Sequence, residues 1–230
     1  MNQIIAVIVA AGSGTRFGGK KQYTEVSGKP LYYYSIKAFK SIADRIILVV
    51  PAEDADQIEG FGAEIIAGGA QRYDSVYNAL KYLRDNPVKE TAGRCFDEDD
   101  LDEAIVLIHD AVRPMITAEV IERVIEDTRH HVGAVATVPV VDTIRTRDGR
   151  LVDRDNLRAM QTPQGFKYCM IKLAYDMFMS LNDEAKAELH ITDDVEVLKR
   201  TLGMDSFMSE GSPDNIKITT PEDMRFIRLD

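Results

Sequence analysis

Within Gly12-Ser13-Gly14-Thr15-Arg16-Phe17-Gly18-Gly19-Lys20-Lys21, four glycines are interleaved with the cations Arg16 and Lys21. Glycine permits backbone conformations with φ > 0 and lets peptide N–H groups crowd a ligand. Preoriented N–H groups and fixed cations together suit the charge carried and developed by a polyphosphate. Two familiar glycine loops do not fit. A dinucleotide fingerprint starting from Gly12 and Gly14 needs a small residue where Phe17 stands, and no ribose-binding acid follows at the end of a second strand. A P-loop needs a hydroxyl where Lys21 stands, and a helix opening at its lysine, whereas residues 22–30 read as loop. Read alone, the stretch is either a phosphate cradle of another type or a plain glycine-rich turn.

A second group with chemical potential is His109-Asp110-Ala111-Val112-Arg113-Pro114, at the end of the apolar run Ala104–Ile108. Asp110 there is a carboxylate at the carboxyl end of a strand, which by itself is equally a turn-capping residue. Gly68-Gly69 closes another apolar segment, 63–67. The elements that must position these groups follow from the hydrophobic pattern. The uninterrupted apolar run at 4–10 and the apolar segments at 46–50, 63–67, 104–108 and 134–138 predict strands. Helices are predicted from Pro30 to Phe39, Arg72 to Leu83, Thr117 to about His131 and Tyr168 to Leu181, with another from the Thr192-Asp193-Asp194 cap to Leu202. A short acidic helix is expected after Pro51, a strand over Asn215–Thr219, and a final helix opening at Thr220-Pro221-Glu222-Asp223.

Strands alternating with helices imply an α/β fold: a Rossmann-like three-layer sandwich with a mostly parallel sheet. Ligands of such sheets bind beyond the carboxyl ends of the strands, where the glycine loop, Gly68-Gly69 and Asp110 all fall. Residues 143–147 and 150–154 flank Asp148-Gly149, a hairpin signal. An isolated two-stranded ribbon is marginal in water, so this protruding arm (residues 139–161) should rest on another domain or subunit. One domain over 1–230 with an arm is the predicted organisation, and the polar stretch 87–103, ending in an acidic cluster, is expected to be a solvated insertion.

The 230 residues carry a net charge of −10, which argues against a nucleic-acid partner but allows a small anion in a locally basic cleft. Cys95 and Cys169 lack disulfide or zinc spacing. The first apolar run has no basic segment before it and is too short to span a bilayer. A cytoplasmic protein without a membrane segment is the expectation.

Taken in order, Ala10-Ala11-Gly12-Ser13-Gly14-Thr15-Arg16 with Lys21-Gln22-Tyr23, then His109 to Pro114, Thr162-Pro163-Gln164, Thr192-Asp193-Asp194 and Asp214 to Thr219 resemble the motifs of the 2-C-methyl-D-erythritol 4-phosphate cytidylyltransferases of the non-mevalonate isoprenoid pathway. The resemblance runs over nearly the whole chain. It implies transfer of CMP from CTP to the sugar-alcohol phosphate, with Mg2+ as cofactor and pyrophosphate as co-product. It further implies that Arg16, Lys21, Arg154 and Lys217 are catalytic, the first two at the α-phosphate and leaving group, the last two at the acceptor phosphate. Asp110 would hold the metal. Ala10, Ala11, Gly12, Gly14, Gly69, Ser75 and Ala111 would bind CTP, and Arg113, Thr143, Thr162 and Thr192 the acceptor. The arm arginine of the family reaches into the neighbouring site, which implies a homodimer. From the residues alone, Arg154 is equally a solvated hairpin charge and Lys217 an exposed strand lysine. Two departures stand out: Lys20 where the family commonly has proline, and Ala70 where it often has an acid. The rival readings are a ribitol 5-phosphate cytidylyltransferase, a nicotinamide-dependent dehydrogenase, and a CTP-binding module without turnover.

Overall fold

Ile4–Val9 is apolar throughout because the strand it forms, β1, is covered on both faces. The structure is a computed structural model that describes residues 2–87, 90–91, 94–95 and 98–228. β1 belongs to a seven-stranded sheet with β2 (Arg45–Val50), β3 (Glu64–Ala67), β4 (Ile105–Asp110), β5 (Gly133–Pro139), β6 (Arg158–Lys167) and β7 (Phe207–Glu210). The spatial order is β7-β5-β6-β4-β1-β2-β3. Only β6 runs antiparallel to its neighbours in this sheet.

Helices α1 (Leu31–Phe39) and α3 (Ala118–His130) cover one face of the sheet. Helices α2 (Arg72–Asp85), α4 (Tyr168–Met179) and α5 (Asp194–Leu202) cover the other. Strand periodicity divides β1 between the two cores. Ile4, Ala6 and Ile8 pack with Tyr32, Phe39, Val120 and Val124. Ile5 and Val7 pack with Val76, Leu80, Tyr175 and Phe178. Burying each such aliphatic side chain contributes roughly 1.5–3 kcal/mol, so the sheet's carboxyl edge is a rigid base for the loops above it.

Several expectations are corrected. Residues 22–30 are not an open loop: a 3-10 turn, Lys21–Tyr23, leads into a small hairpin pairing Glu25–Val26 with Lys29–Pro30. Its two-residue turn, Ser27-Gly28, has positive φ at both positions, as a tight hairpin requires. The acidic stretch after Pro51 gives only the 3-10 turn Ala52–Asp54. Residues 215–219 form no strand. They cross the ends of other elements instead, with the Ile218 N–H donating to the Val112 carbonyl and Asn215 Nδ2 to the Thr162 carbonyl. The last helix is 3-10, Pro221–Phe226, although the Thr220–Asp223 capping box forms as expected. Thr117 occupies the N-cap of α3 without a side-chain capping bond. Part of the 87–103 segment lies outside the described residues. Its end is not simply solvated, because Glu98–Asp102 is helical and Leu101 joins the core.

The predicted hairpin is present, pairing Ile144–Arg145 with Leu151–Val152. Leu151 within it and Val141 before it are exposed at 65% and 80%. Among the described residues, no helix is long and apolar enough to cross a membrane.

Candidate active site

The chain leaves β1 at Ala10, whose N–H donates to the Val49 carbonyl at the end of β2 (2.7 Å). The glycine loop then folds back on itself: the N–H groups of Phe17, Gly18 and Gly19 all point to the Gly14 carbonyl at 2.8, 3.1 and 3.3 Å. Gly14 has φ +68°, and a Cβ there would lie 1.8 Å from the Gly19 carbonyl oxygen, so this fold of the loop demands glycine. Gln22 Nε2 donates to the Gly12 carbonyl (3.1 Å), closing the loop's base. A cavity of about 520 Å3 opens above it, lined by Val9 to Arg16, Lys21, Gln22, Gly69 to Arg72, Ser75, Asp110, Val112 and Lys217.

Among the described residues, Arg16, Lys21, Arg72 and Lys217 line the cavity against a single carboxylate, Asp110. Lys217 Nζ lies 2.9 Å from Asp110 Oδ2, Arg113 Nε 3.5 Å from the same oxygen, and Arg72 Nε 3.7 Å from Oδ1. Burial opposes ionisation of Asp110, but these three cations outweigh it and hold the carboxyl well below the usual range. Burial lowers the Lys21 pKa, and repulsion from Lys217 and Arg16 lowers it further. A cavity with this surplus of positive charge is matched by a polyanion, which would lower the repulsion among its walls.

His109 stands behind Asp110, fully buried, with Nε2 3.3 Å from the Arg113 carbonyl and Nδ1 3.0 Å from Thr162 Oγ1. Burial, partly opposed by Asp110, brings its pKa down to about 4, so the ring is neutral at pH 7. The carbonyl can only accept, which assigns the proton to Nε2 and makes Nδ1 the acceptor from the Thr162 hydroxyl. Thr162 Oγ1 in turn accepts the Asp110 N–H at 3.1 Å. This histidine therefore acts on backbone position, fixing the residue that carries the carboxylate.

Arg72 reaches Asp110 from the first turn of α2, pinned by a bidentate pair to Asp194 at 2.9 and 2.6 Å. Asp194 is fully buried and also accepts from the Tyr175 hydroxyl at 2.6 Å. Gln164 Oε1 accepts the N–H groups of Asp194 and Val195, while its Nε2 donates to Asp193. Asp193 caps α5 through the Glu196 N–H (3.0 Å). The Thr162-Pro163-Gln164 and Thr192-Asp193-Asp194 segments are thus one interlocked support for Asp110 and Arg72. Sequence reasoning missed Arg72 and the role of Gln164; the signal for Arg72 was its place directly after Gly69-Ala70-Gln71 at a helix start.

The structure brings together Ala10, Ala11, Gly12, Gly14, Arg16, Lys21, Gly69, Ser75, Asp110 and Lys217. Ser75 Oγ accepts the Gly69 N–H (3.1 Å), and Ala70 lines the wall with no carboxylate in its place. Ala111 lies behind the lining, fully buried, its N–H on the Val9 carbonyl. Arg113 and Thr162 are buried second-layer groups, and Arg113 Nη1 donates to the Asn215 carbonyl (2.7 Å). Thr192 is exposed and off the lining. Thr143 and Arg154 lie on the exposed hairpin, where Arg154 donates to the Val141 carbonyl, and neither lines the cavity of its own chain. Lys20 is paired with Asp54 and Glu53 outside the cavity.

A glycine loop after β1, clustered cations and one acid at the carboxyl edge of a mostly parallel sheet define an enzyme of the nucleotidyltransferase class. The model of the family described as 2-C-methyl-D-erythritol 4-phosphate cytidylyltransferase matches residues 4–228. The chain belongs to this family. A Clostridium perfringens protein of that name is 36% identical over 241 residues, covering 97% of this chain and 96% of its own length. The crystal structure of the Thermus thermophilus enzyme of that name superposes with a TM-score of 0.74 at 28% identity, covering 98% of this chain and 96% of its own. The 4-diphosphocytidyl-2C-methyl-D-erythritol synthase of Anaerococcus prevotii gives 0.75 at 26% identity, with the same two coverages of 98% and 96%.

Proposed function

We propose that the chain transfers a cytidylyl group from CTP to 2-C-methyl-D-erythritol 4-phosphate, as a homodimer using Mg2+, at the cavity lined by the glycine loop. The observation that carries this is the convergence of Arg16, Lys21, Lys217 and Asp110 on that cavity. A phosphate oxygen of the acceptor attacks the α-phosphorus in line, the bond to the bridging oxygen breaks, and pyrophosphate leaves. The attacking group is already an anion, so positioning and charge neutralisation govern the rate. Arg16 and Lys21 meet the charge on the α-phosphate and the leaving group, while Lys217 draws the acceptor phosphate toward the carboxyl edge.

The donor set suits magnesium. Among the described residues there is no cluster of three metal-ligating side chains, and Mg2+ is commonly held by one carboxylate with substrate phosphates and water. Asp110, ionised and facing the cavity, is the residue that would hold it; the ion would add neutralising charge to the triphosphate. The free thiol of Cys169 suits a reducing cytoplasm.

The hairpin supports the dimer. It is a short ribbon with exposed Val141 and Leu151, unstable by itself and suited to rest on a second subunit, to which it would carry Arg154 and Thr143. Mixing tests this. Lys21→Ala and Arg154→Ala should each be nearly inactive alone. Co-folded in equal amounts they should recover about a quarter of wild-type activity, because half the dimers are mixed and each mixed dimer has one complete site. No recovery would contradict a site shared between subunits.

A further inference from the structure

Lys20 directly precedes Lys21, yet its side chain belongs to a different structure. Lys20 Nζ lies 2.8 and 2.7 Å from the two carboxylate oxygens of Asp54 and 2.8 Å from Glu53 Oε1. Tyr23 donates its hydroxyl to the same Asp54 carboxylate at 2.7 Å. One carboxylate therefore holds the residues on both flanks of Lys21-Gln22. Asp54 is itself fixed to the end of β2 by the 3-10 turn, with its N–H on the Pro51 carbonyl (2.9 Å). The Tyr23 ring stands edge-on to Tyr32 of α1, centroids 6.0 Å apart.

Lys21 needs such anchorage. Its ammonium sits in a wall it shares with Arg16 and Lys217, and a long flexible stem offers many ways to swing out of a repulsive field. Fixing the backbone on each side removes part of that freedom before substrate arrives.

We propose that Asp54 is a positioning residue for cytidylyl transfer, clasping Lys20 and Tyr23 so that Lys21 is presented to the cavity. This rests on the reading of Lys21 as a catalytic group. The backbone suggests a way to replace the clasp. Lys20 has φ −70°, the value proline imposes. Its backbone N–H donates no hydrogen bond among the described residues. Proline at position 20 would hold the same conformation by covalent geometry, with no partner.

Steady-state kinetics on the 230-residue protein test the clasp, with pyrophosphate release from CTP and the sugar phosphate as the signal. Asp54→Ala should lower kcat about tenfold while leaving the KM for CTP within about twofold, the pattern of a misplaced transition-state group. Adding Lys20→Pro to Asp54→Ala should restore kcat to within about twofold of wild type, measured well below the unfolding midpoint of both variants, where a stabilising proline cannot raise activity by refolding unfolded protein. Lys20 and Glu53 are partly exposed, so wild-type kcat should fall as salt rises from about 50 mM to about 0.5 M, and the Lys20→Pro protein should lose this dependence. Should Asp54→Ala not fold, Lys20→Ala carries the same expectation, with the Tyr23 bond left in place. Wild-type kcat in Asp54→Ala, beside a depressed Lys21→Ala, overturns the clasp and leaves the role of Lys21 intact. Slow turnover that Lys20→Pro fails to restore overturns it as well. Normal turnover in Lys21→Ala removes the reading on which the clasp rests.

Discussion

Lys21→Ala should lower kcat/KM by at least about a hundredfold, the scale expected when one donor to a developing oxyanion is removed. Folding should not suffer with it. Burial and the neighbouring cations Lys217 and Arg16 disfavour the charged lysine in the folded protein, so its removal relieves repulsion. An unfolding midpoint equal to or above that of wild type is expected, with activity lost. Such a trade of stability for function is characteristic of a group held against its own electrostatics. The two measurements separate the roles: pyrophosphate release reads the chemistry and urea denaturation reads the fold. Near-normal turnover would reject the assignment of Lys21, and a large fall in the midpoint would mean that the side chain is mainly a packing element.

The opposite profile is expected of Arg72. Its guanidinium makes the bidentate pair to the fully buried Asp194. In Arg72→Ala that carboxylate keeps the Tyr175 hydroxyl and the Gln164-held backbone but loses its cation. Breaking a buried pair from one side costs about 3–5 kcal/mol, mostly the penalty of an uncompensated charge. The urea midpoint should drop accordingly with little change in the slope of the transition. Activity should fall too, since Arg72 Nε also faces Asp110 at 3.7 Å. Asp194→Asn placed in the Arg72→Ala background should recover part of the stability, because a neutral amide is cheaper to leave buried than a lone carboxylate. A loss below about 1 kcal/mol in Arg72→Ala would contradict the buried pair.

Arg72 also marks where the sequence stopped being informative. Its partner lies 122 positions away, and the one local signal, its place after Gly69-Ala70-Gln71 at a helix start, says nothing of that partner. The parallel core was readable because burial on both faces leaves unbroken apolar runs such as Ile46–Val50. β6 was not, since Pro163, Gly165 and its glutamines are poor strand residues. The sheet accommodates them with a register irregularity between Met160 and Gln164. β7 is four residues long at the sheet edge, too short to show a period. At the site, the glycine loop and Asp110 announced themselves through residue type and position at strand ends. Lys217 did not: its neighbours Ile216 and Ile218 suggested strand alternation, whereas the segment is irregular and the lysine turns to Asp110. Arg154 was readable as a hairpin charge, and the role proposed for it would need a second copy of the chain.

Pyrophosphate release with CTP and 2-C-methyl-D-erythritol 4-phosphate, in the presence and absence of Mg2+, is the most direct measurement. Release should require both substrates and the metal, match the cytidylyl product mole for mole, and be far slower when ribitol 5-phosphate replaces the acceptor. Equal rates with ribitol 5-phosphate, or no release with the erythritol phosphate, would contradict the function assigned to this site.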